Sequence, residues 1–176
     1  MRDIVKISGI AVGLVLLATA ASAQVTKESV PGIVNFAKVE TTVACAGATT
    51  PAALAGVKQM GYNSVINLRM PSEAGVELEA EAAAAKAAGI TYIHIPFNAS
   101  APDASVVDNF LKAVTDKANQ PAFIHCASAN RAAALWMVKR IAVDKWDVER
   151  ASTEAAALGL SNPALKAFAI EQAQKR

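Results

Sequence analysis

The chain has 176 residues, 53% of them hydrophobic, and a formal net charge of only +2. That length makes one domain with a full core, and so small a charge leaves no basic stripe for nucleic acid. Two cysteines and two histidines are too few for a disulfide framework, and their spacings do not suit a zinc site.

Arg2 and Lys6 give a basic start, Ile7 to Ala20 is mostly apolar, and Ala21-Ser22-Ala23 follows. This order is that of a secretory signal peptide over residues 1–23, with a single mature domain over 24–176. The apolar run is short for a ~20-residue span, and no later segment is long and apolar enough to cross a bilayer. The expectation is export to a bacterial periplasm, or secretion, without stable membrane insertion after signal removal. Loss of Arg2, Asp3 and Lys6 takes the net charge from +2 to +1.

The mature part alternates between strand-like and helix-like segments, which predicts an α/β layer architecture. Val39 to Ala46 is predicted as a strand, with Ile33 to Phe36 as a partner. Thr50-Pro51 supplies an N-cap and a proline at the first helical position; that helix runs to Met60 and stops at Gly61. Ser64 to Arg69 is a short buried strand, and Met70 to Gly75 a loop. Val76 to Ala88 is a helix with Glu77 and Glu81 on its wet face and Gly89 as its stop. Thr91 to Phe97 is the next strand. Ser100 to Asp103 resembles a capping box for a helix from Asp103 to Lys117. Pro121 to Cys126 is the fourth clear strand, and Ala132 to Val143 an apolar central helix. Asp147 caps a helix over Val148 to Leu158, ended by Gly159, and Asn162-Pro163 starts the last one. Helices between successive strands imply a central, mostly parallel sheet of four to five strands, with sites at the strands' carboxyl ends.

One such end carries Cys126-Ala127-Ser128-Ala129-Asn130-Arg131. A strand, a short loop and a helix N-terminus form an anion cradle. A cysteine at its mouth, with an arginine nearby, is biased towards thiolate. The arginine's planar fork can grip two oxygens of a phosphate or sulfate. Cys126 is therefore the candidate nucleophile and Arg131 the candidate anion binder. The loop residues Ala127, Ser128, Ala129 and Asn130 complete the cradle. His125 points away from Cys126 along the strand and is read as a brace for the loop. Arg69, at the end of another strand, either adds positive charge to the cradle or pairs with Glu73.

Phe123-Ile124-His125-Cys126, followed by a loop and Arg131, resembles the signature of cysteine-dependent tyrosine and dual-specificity phosphatases. Gly61 to Arg69, ending Val65-Ile66-Asn67-Leu68-Arg69, resembles the second strand of the compact members, and Gly89 to Pro96 the third. The resemblance spans residues 33–170 and is closest to the phosphatase-like domain of beta-lactamase hydrolase-like proteins. It implies a tyrosine phosphatase-like fold. It also implies attack of Cys126 on a phosphate-containing substrate, small molecule or phosphoprotein, with no metal or organic cofactor.

Four departures accompany the resemblance. The loop has four residues between cysteine and arginine instead of five, the spacing of rhodanese-type sulfurtransferases. Ala129 replaces the mid-loop glycine, and Ala132 replaces the hydroxyl residue after the arginine. The general-acid aspartate is missing from the stretch holding Asn98, Ala99 and Ser100, which leaves Asp103 as the nearest substitute. Two alternatives stay open: a sulfurtransferase carrying a persulfide on Cys126, and a binding module for anions or phosphoproteins. A Cys45–Cys126 disulfide is a further possibility in an oxidising compartment.

Overall fold

A computed structural model describes residues 24–39 and 41–176. The expected signal peptide lies outside the described residues. The core is a six-stranded sheet. In chain order its strands are β1 (Val25–Lys27), β2 (Ala37–Val39), β3 (Val43–Ala46), β4 (Ser64–Asn67), β5 (Thr91–His94) and β6 (Ala122–His125). Across the sheet the order is β1-β2-β3-β6-β4-β5. The four strands from β3 to β5 run parallel, and β1 and β2 are added antiparallel. The mostly parallel α/β sheet is as expected, extended at one edge beyond the expected four to five strands.

The extra strands arise where turn chemistry intervenes. The segment from Val39 to Ala46 is a hairpin, not one strand. Its turn is closed by Thr42, whose N–H and Oγ1 both donate to the Val39 carbonyl. Ile33 makes only isolated bridges, to Val30 and Thr49. The edge strand β1 is three residues long, with two of them exposed.

Helices cover both faces. On one lie α1 (Leu54–Gln59) and α2 (Leu78–Ala88); on the other lie α3 (Ala104–Thr115), α4 (Asn130–Ala142), α5 (Val148–Ala157) and α6 (Pro163–Gln174). Alternation along β6 assigns its side chains: Phe123 packs with Phe36, Leu54 and Val65, and Ile124 with Leu68, Leu135 and Met137. Three of the four predicted caps form; Thr50 precedes Pro51 but its side chain makes no cap hydrogen bond. Asp103, Asp147 and Asn162 accept the first-turn N–H groups of α3, α5 and α6.

Register places the site. His125 lies opposite Ala46 on one side and Asn67 on the other. The chain therefore leaves β3, β6 and β4 at one end of the sheet, and Gly47, Cys126 and Leu68 emerge side by side. Among the described residues no helix is long and apolar enough to cross a membrane.

Candidate active site

Cys126 occupies the step between β6 and α4. Its N–H donates to the Ala46 carbonyl at 3.1 Å, and its side chain is buried with α4. The next two carbonyls turn away from the sheet's end: Ala127 O accepts from Ala48 N–H at 3.0 Å, and Ser128 O from Asn35 Nδ2 at 3.4 Å. In a trans peptide the N–H opposes its carbonyl. The Ser128 amide therefore points to the other side, where α4 begins, while the Gly47–Ser128 bridge turns Ala129 N–H towards the Ala46 carbonyl. No side chain caps α4, so its first-turn amides face the same space. This is the end of the sheet at which the sequence places its anion cradle.

Close backbone approach builds it. A Cβ on Gly47 would meet Ala127 O at 3.0 Å, Val34 O at 3.1 Å and the Ser128 Cα at 3.2 Å. Ala129 is buried with φ 76°, in the left-handed region. Gly159, at the end of α5, presses on it, since a Cβ there would lie 3.1 Å from the Ala129 Cβ. The left-handed region costs a non-glycine residue ~1–2 kcal/mol. Ala129→Gly relieves that cost but frees the unfolded chain by ~0.4–1 kcal/mol. It is therefore expected to leave stability unchanged or raise it by up to ~1.6 kcal/mol, read by urea unfolding.

Arg131 is 7% exposed. Its Nη1 donates to Leu68 O (3.2 Å), Phe97 O (2.8 Å) and Glu73 Oε1 (2.6 Å), and its Nη2 to Glu73 Oε2 (2.8 Å). These contacts use one edge of the guanidinium. None of these contacts uses Nε, and the Cys126 side chain lies within reach of the guanidinium, so the Nε–Nη2 edge is the one left to share an anion with Cys126. Burial works against the Arg131 charge, but the Glu73 hydrogen bonds and the nearby Cys126 outweigh it and hold its pKa above the ordinary value.

Glu73 is the residue the sequence reading underused. Its carboxylate also takes Met70 N–H at 2.7 Å and Arg69 Nε at 3.3 Å. The Arg131 hydrogen bonds, helped by Met70 and Arg69 and opposed by burial, bring its pKa from 4.5 to about 2. A folded pKa below the unfolded one gives stability that is present above ~4.5 and lost as pH falls through about 2. Glu73→Gln is expected to unfold at a lower temperature than wild type near neutrality. The gap should narrow between pH 4.5 and 2 and close below. With Arg131 no longer held, kcat/KM should drop on the order of 10²-fold, the scale of a ~1 Å misplacement.

The other predicted residues fall as follows. Ala127 and Ser128 are exposed at the rim. Arg69 does not add charge to the cradle: its fork is spent on Glu73, Ala74 O and Gly75 O, so it braces the loop that carries Glu73. Asn130 does not offer its carbonyl to a ligand, because Oδ1 accepts from Ser161 N–H (2.8 Å) and Asn162 N–H (2.9 Å) and ties the cradle to the turn before α6. His125 is fully buried and does not line the cleft over the Cys126 loop. Asp103 caps α3 and lines a different groove, between β5 and α3, so it is not placed as an acid. Both cysteines are free. Cys45 faces Ile124 across β3 and β6, two residues short of Cys126. That spacing puts the Cα atoms about 8 Å apart, beyond the ~7 Å reach of a disulfide. Burial, with Cys126 and Glu154 nearby, pushes the Cys45 thiol well up.

Glu81 and Tyr92 also escape the sequence reading. Glu81, expected on the wet face of α2, is buried. Its Oε1 lies 2.6 Å from His125 Nε2, and its Oε2 accepts from Asn67 Nδ2 at 2.8 Å and Tyr92 OH at 3.3 Å. The polar residues Asn67 and His125 in otherwise apolar strands were the available signal, because buried polar groups require partners.

A family model for the phosphatase-like domain of beta-lactamase hydrolase-like proteins matches residues 35–143. The chain belongs to this family. No curated protein matches it. Solved structures share the fold. A candidate phosphatase (DUF442) of Shewanella putrefaciens CN-32 is 21% identical, with a TM-score of 0.68, over 82% of this chain and 94% of its own. P. aeruginosa TpbA is 18% identical, TM-score 0.65, over 90% and 93%. The core catalytic domain of the PP-IP phosphatase SIW14 from S. cerevisiae is 19% identical, TM-score 0.67, over 81% and 87%. At these identities the likeness is one of fold.

Proposed function

We propose that this member of the family is an exported phosphatase that hydrolyses phosphate monoesters through a phosphocysteine on Cys126. The observation that carries the reading is the state of Arg131. Glu73, Leu68 O and Phe97 O fix one edge of its guanidinium and leave the other open beside Cys126. A planar fork held this way binds two phosphate oxygens with little ordering left to do. The loop amides and the N-terminus of α4 take the remaining charge. The Cys126 sulfur attacks phosphorus, and water then releases phosphate. Family membership and the phosphatase fold support the same reading; a structure of TpbA, for one, contains pTyr.

A second reading, sulfur transfer through a Cys126 persulfide, is favoured by the four-residue loop between Cys126 and Arg131. Parallel assays separate the two. The purified protein is expected to release p-nitrophenol from p-nitrophenyl phosphate and to form no thiocyanate from thiosulfate and cyanide. The reverse pattern replaces the first reading with the second. Export is supported by the order of Arg2, Lys6, the apolar run and Ala21-Ser22-Ala23. The intact mass of protein from a bacterial periplasmic fraction is expected to begin at Gln24.

A further inference from the structure

We infer that the substrate carries its phosphate on an acidic oxygen, as an aryl, enol or acyl phosphate whose leaving group departs without a proton from the protein. The inference rests on the phosphatase reading and deepens it. The cleft of about 620 Å³ over the Cys126 loop is walled by groups such as Ser72, Asn98, Ser100, Ser128 and Ser161, which do not titrate near neutrality. Its ionisable lining side chains, among the described residues, are Arg131 and Glu73. Arginine does not give up its proton.

Glu73 has none to give. Its pKa is about 2, and both oxygens already face donors: Oε1 takes Arg131 Nη1 and Met70 N–H, and Oε2 takes Arg131 Nη2 and Arg69 Nε. An ionised carboxylate is an acceptor only. Asp103, the nearest substitute by sequence, lines a different groove with Ile93 and Lys112 and is not among the residues around the cleft. No carboxylic acid in the cleft is poised to protonate a departing oxygen.

In the first step a bond forms between Cys126 Sγ, as thiolate, and phosphorus, while the bond from phosphorus to the leaving oxygen breaks. That oxygen takes the bonding pair, departs as an anion and collects its proton from water. In the second step a water oxygen bonds to phosphorus, the sulfur–phosphorus bond breaks and the thiolate returns; the water's proton passes to solvent. A general acid contributes ~10²–10⁴-fold to such a departure. Without one, the rate follows the acidity of the leaving oxygen: a carboxylate, enolate or acidic phenolate leaves unaided, and an alkoxide does not. The walls narrow the class further. Arg131 is the one cation among the residues lining the cleft, and Glu73 offsets its charge. A leaving group bearing more phosphates has no counter-charge there, so the rest of the substrate is uncharged and polar, matched to hydroxyls and amides.

The test is a kcat/KM series over 2,4-dinitrophenyl, p-nitrophenyl, phenyl and glycerol phosphates, with acetyl phosphate alongside. The expected result is a fall of at least ~10²-fold from p-nitrophenyl to phenyl phosphate, no measurable glycerol phosphate turnover, and acetyl phosphate near the top. Asn98→Asp supplies a carboxyl to the cleft and keeps the acceptor that holds Ser100 N–H at 3.0 Å. It is expected to raise phenyl phosphate turnover at least ~10-fold, a fraction of what a full general acid supplies. A wild-type series level to within a few-fold overturns the inference and leaves the phosphatase reading standing. A folded protein that turns over none of the five compounds overturns the phosphatase reading itself.

Discussion

Cys126→Ser is expected to abolish phosphate release, by at least ~10⁴-fold, the scale on which one member of a catalytic unit fails. The fold should survive. Cys126 is 1% exposed, and serine fits its space with a single atom changed. The cradle should survive too, because its donors are backbone amides and Arg131, and Arg131 is held by Glu73, Leu68 O and Phe97 O. Inorganic phosphate should therefore stabilise the variant as well as wild type. At 100 times its Kd a ligand adds ~2.7 kcal/mol, a rise in melting temperature of roughly 5–10 °C for a domain of this size. Phosphate stabilisation retained by the variant, with turnover lost, assigns the sulfur to chemistry and the loop to binding. Equal turnover by both proteins removes Cys126 from the mechanism. Phosphate binding by both, with no turnover by wild type, leaves an anion-binding module.

The cradle was legible because its signals are local. An apolar strand, four small or polar residues and an apolar helix identify a strand–loop–helix step without knowledge of its neighbours. The Asp103, Asp147 and Asn162 helix starts were legible for the same reason: each side chain bonds within its own first turn, whereas at Thr50 the proline alone marks the start. The hairpin was not. Val39 and Val43 both read as strand, and only the Thr42 contact with Val39 shows where the chain reverses. The state of Arg131 was not legible either. Its partner Glu73 is 58 positions away in a loop, and Arg69, four positions before Glu73, offered a nearer pairing. That pairing does form, but as one part of a larger arrangement in which Glu73 serves both arginines.

Glu81 shows the same limit on a helix, and its removal is the second large effect expected. Spacing along the alanine-rich α2 puts it with Glu77 on one face, and nothing in the helix says which face is wet. The sheet decides. His125 is fully buried and stacks on Phe123 at 5.8 Å, and the protein group facing its Nε2 is Glu81 Oε1, 2.6 Å away. The same carboxylate serves Asn67 and Tyr92; burial, with Glu81 nearby and against the Asn67 hydrogen bond, raises the Tyr92 phenol to about 12. Glu81→Ala leaves two buried polar groups, His125 and Asn67, and the half-buried Tyr92 hydroxyl without this partner. Breaking a buried pair in this way costs ~3–5 kcal/mol, a fall of roughly 6–20 °C in melting temperature. Glu81→Gln keeps an acceptor and should recover part of the loss. Glu81→Leu combined with His125→Phe, which removes both partners, should cost much less than the sum of the single changes. Activity separates bracing from bulk stability. His125 immediately precedes Cys126, so Glu81→Ala assayed well below its melting temperature should still lose kcat/KM. Full activity at that temperature, with only stability reduced, would show that the cradle holds its shape without the pair.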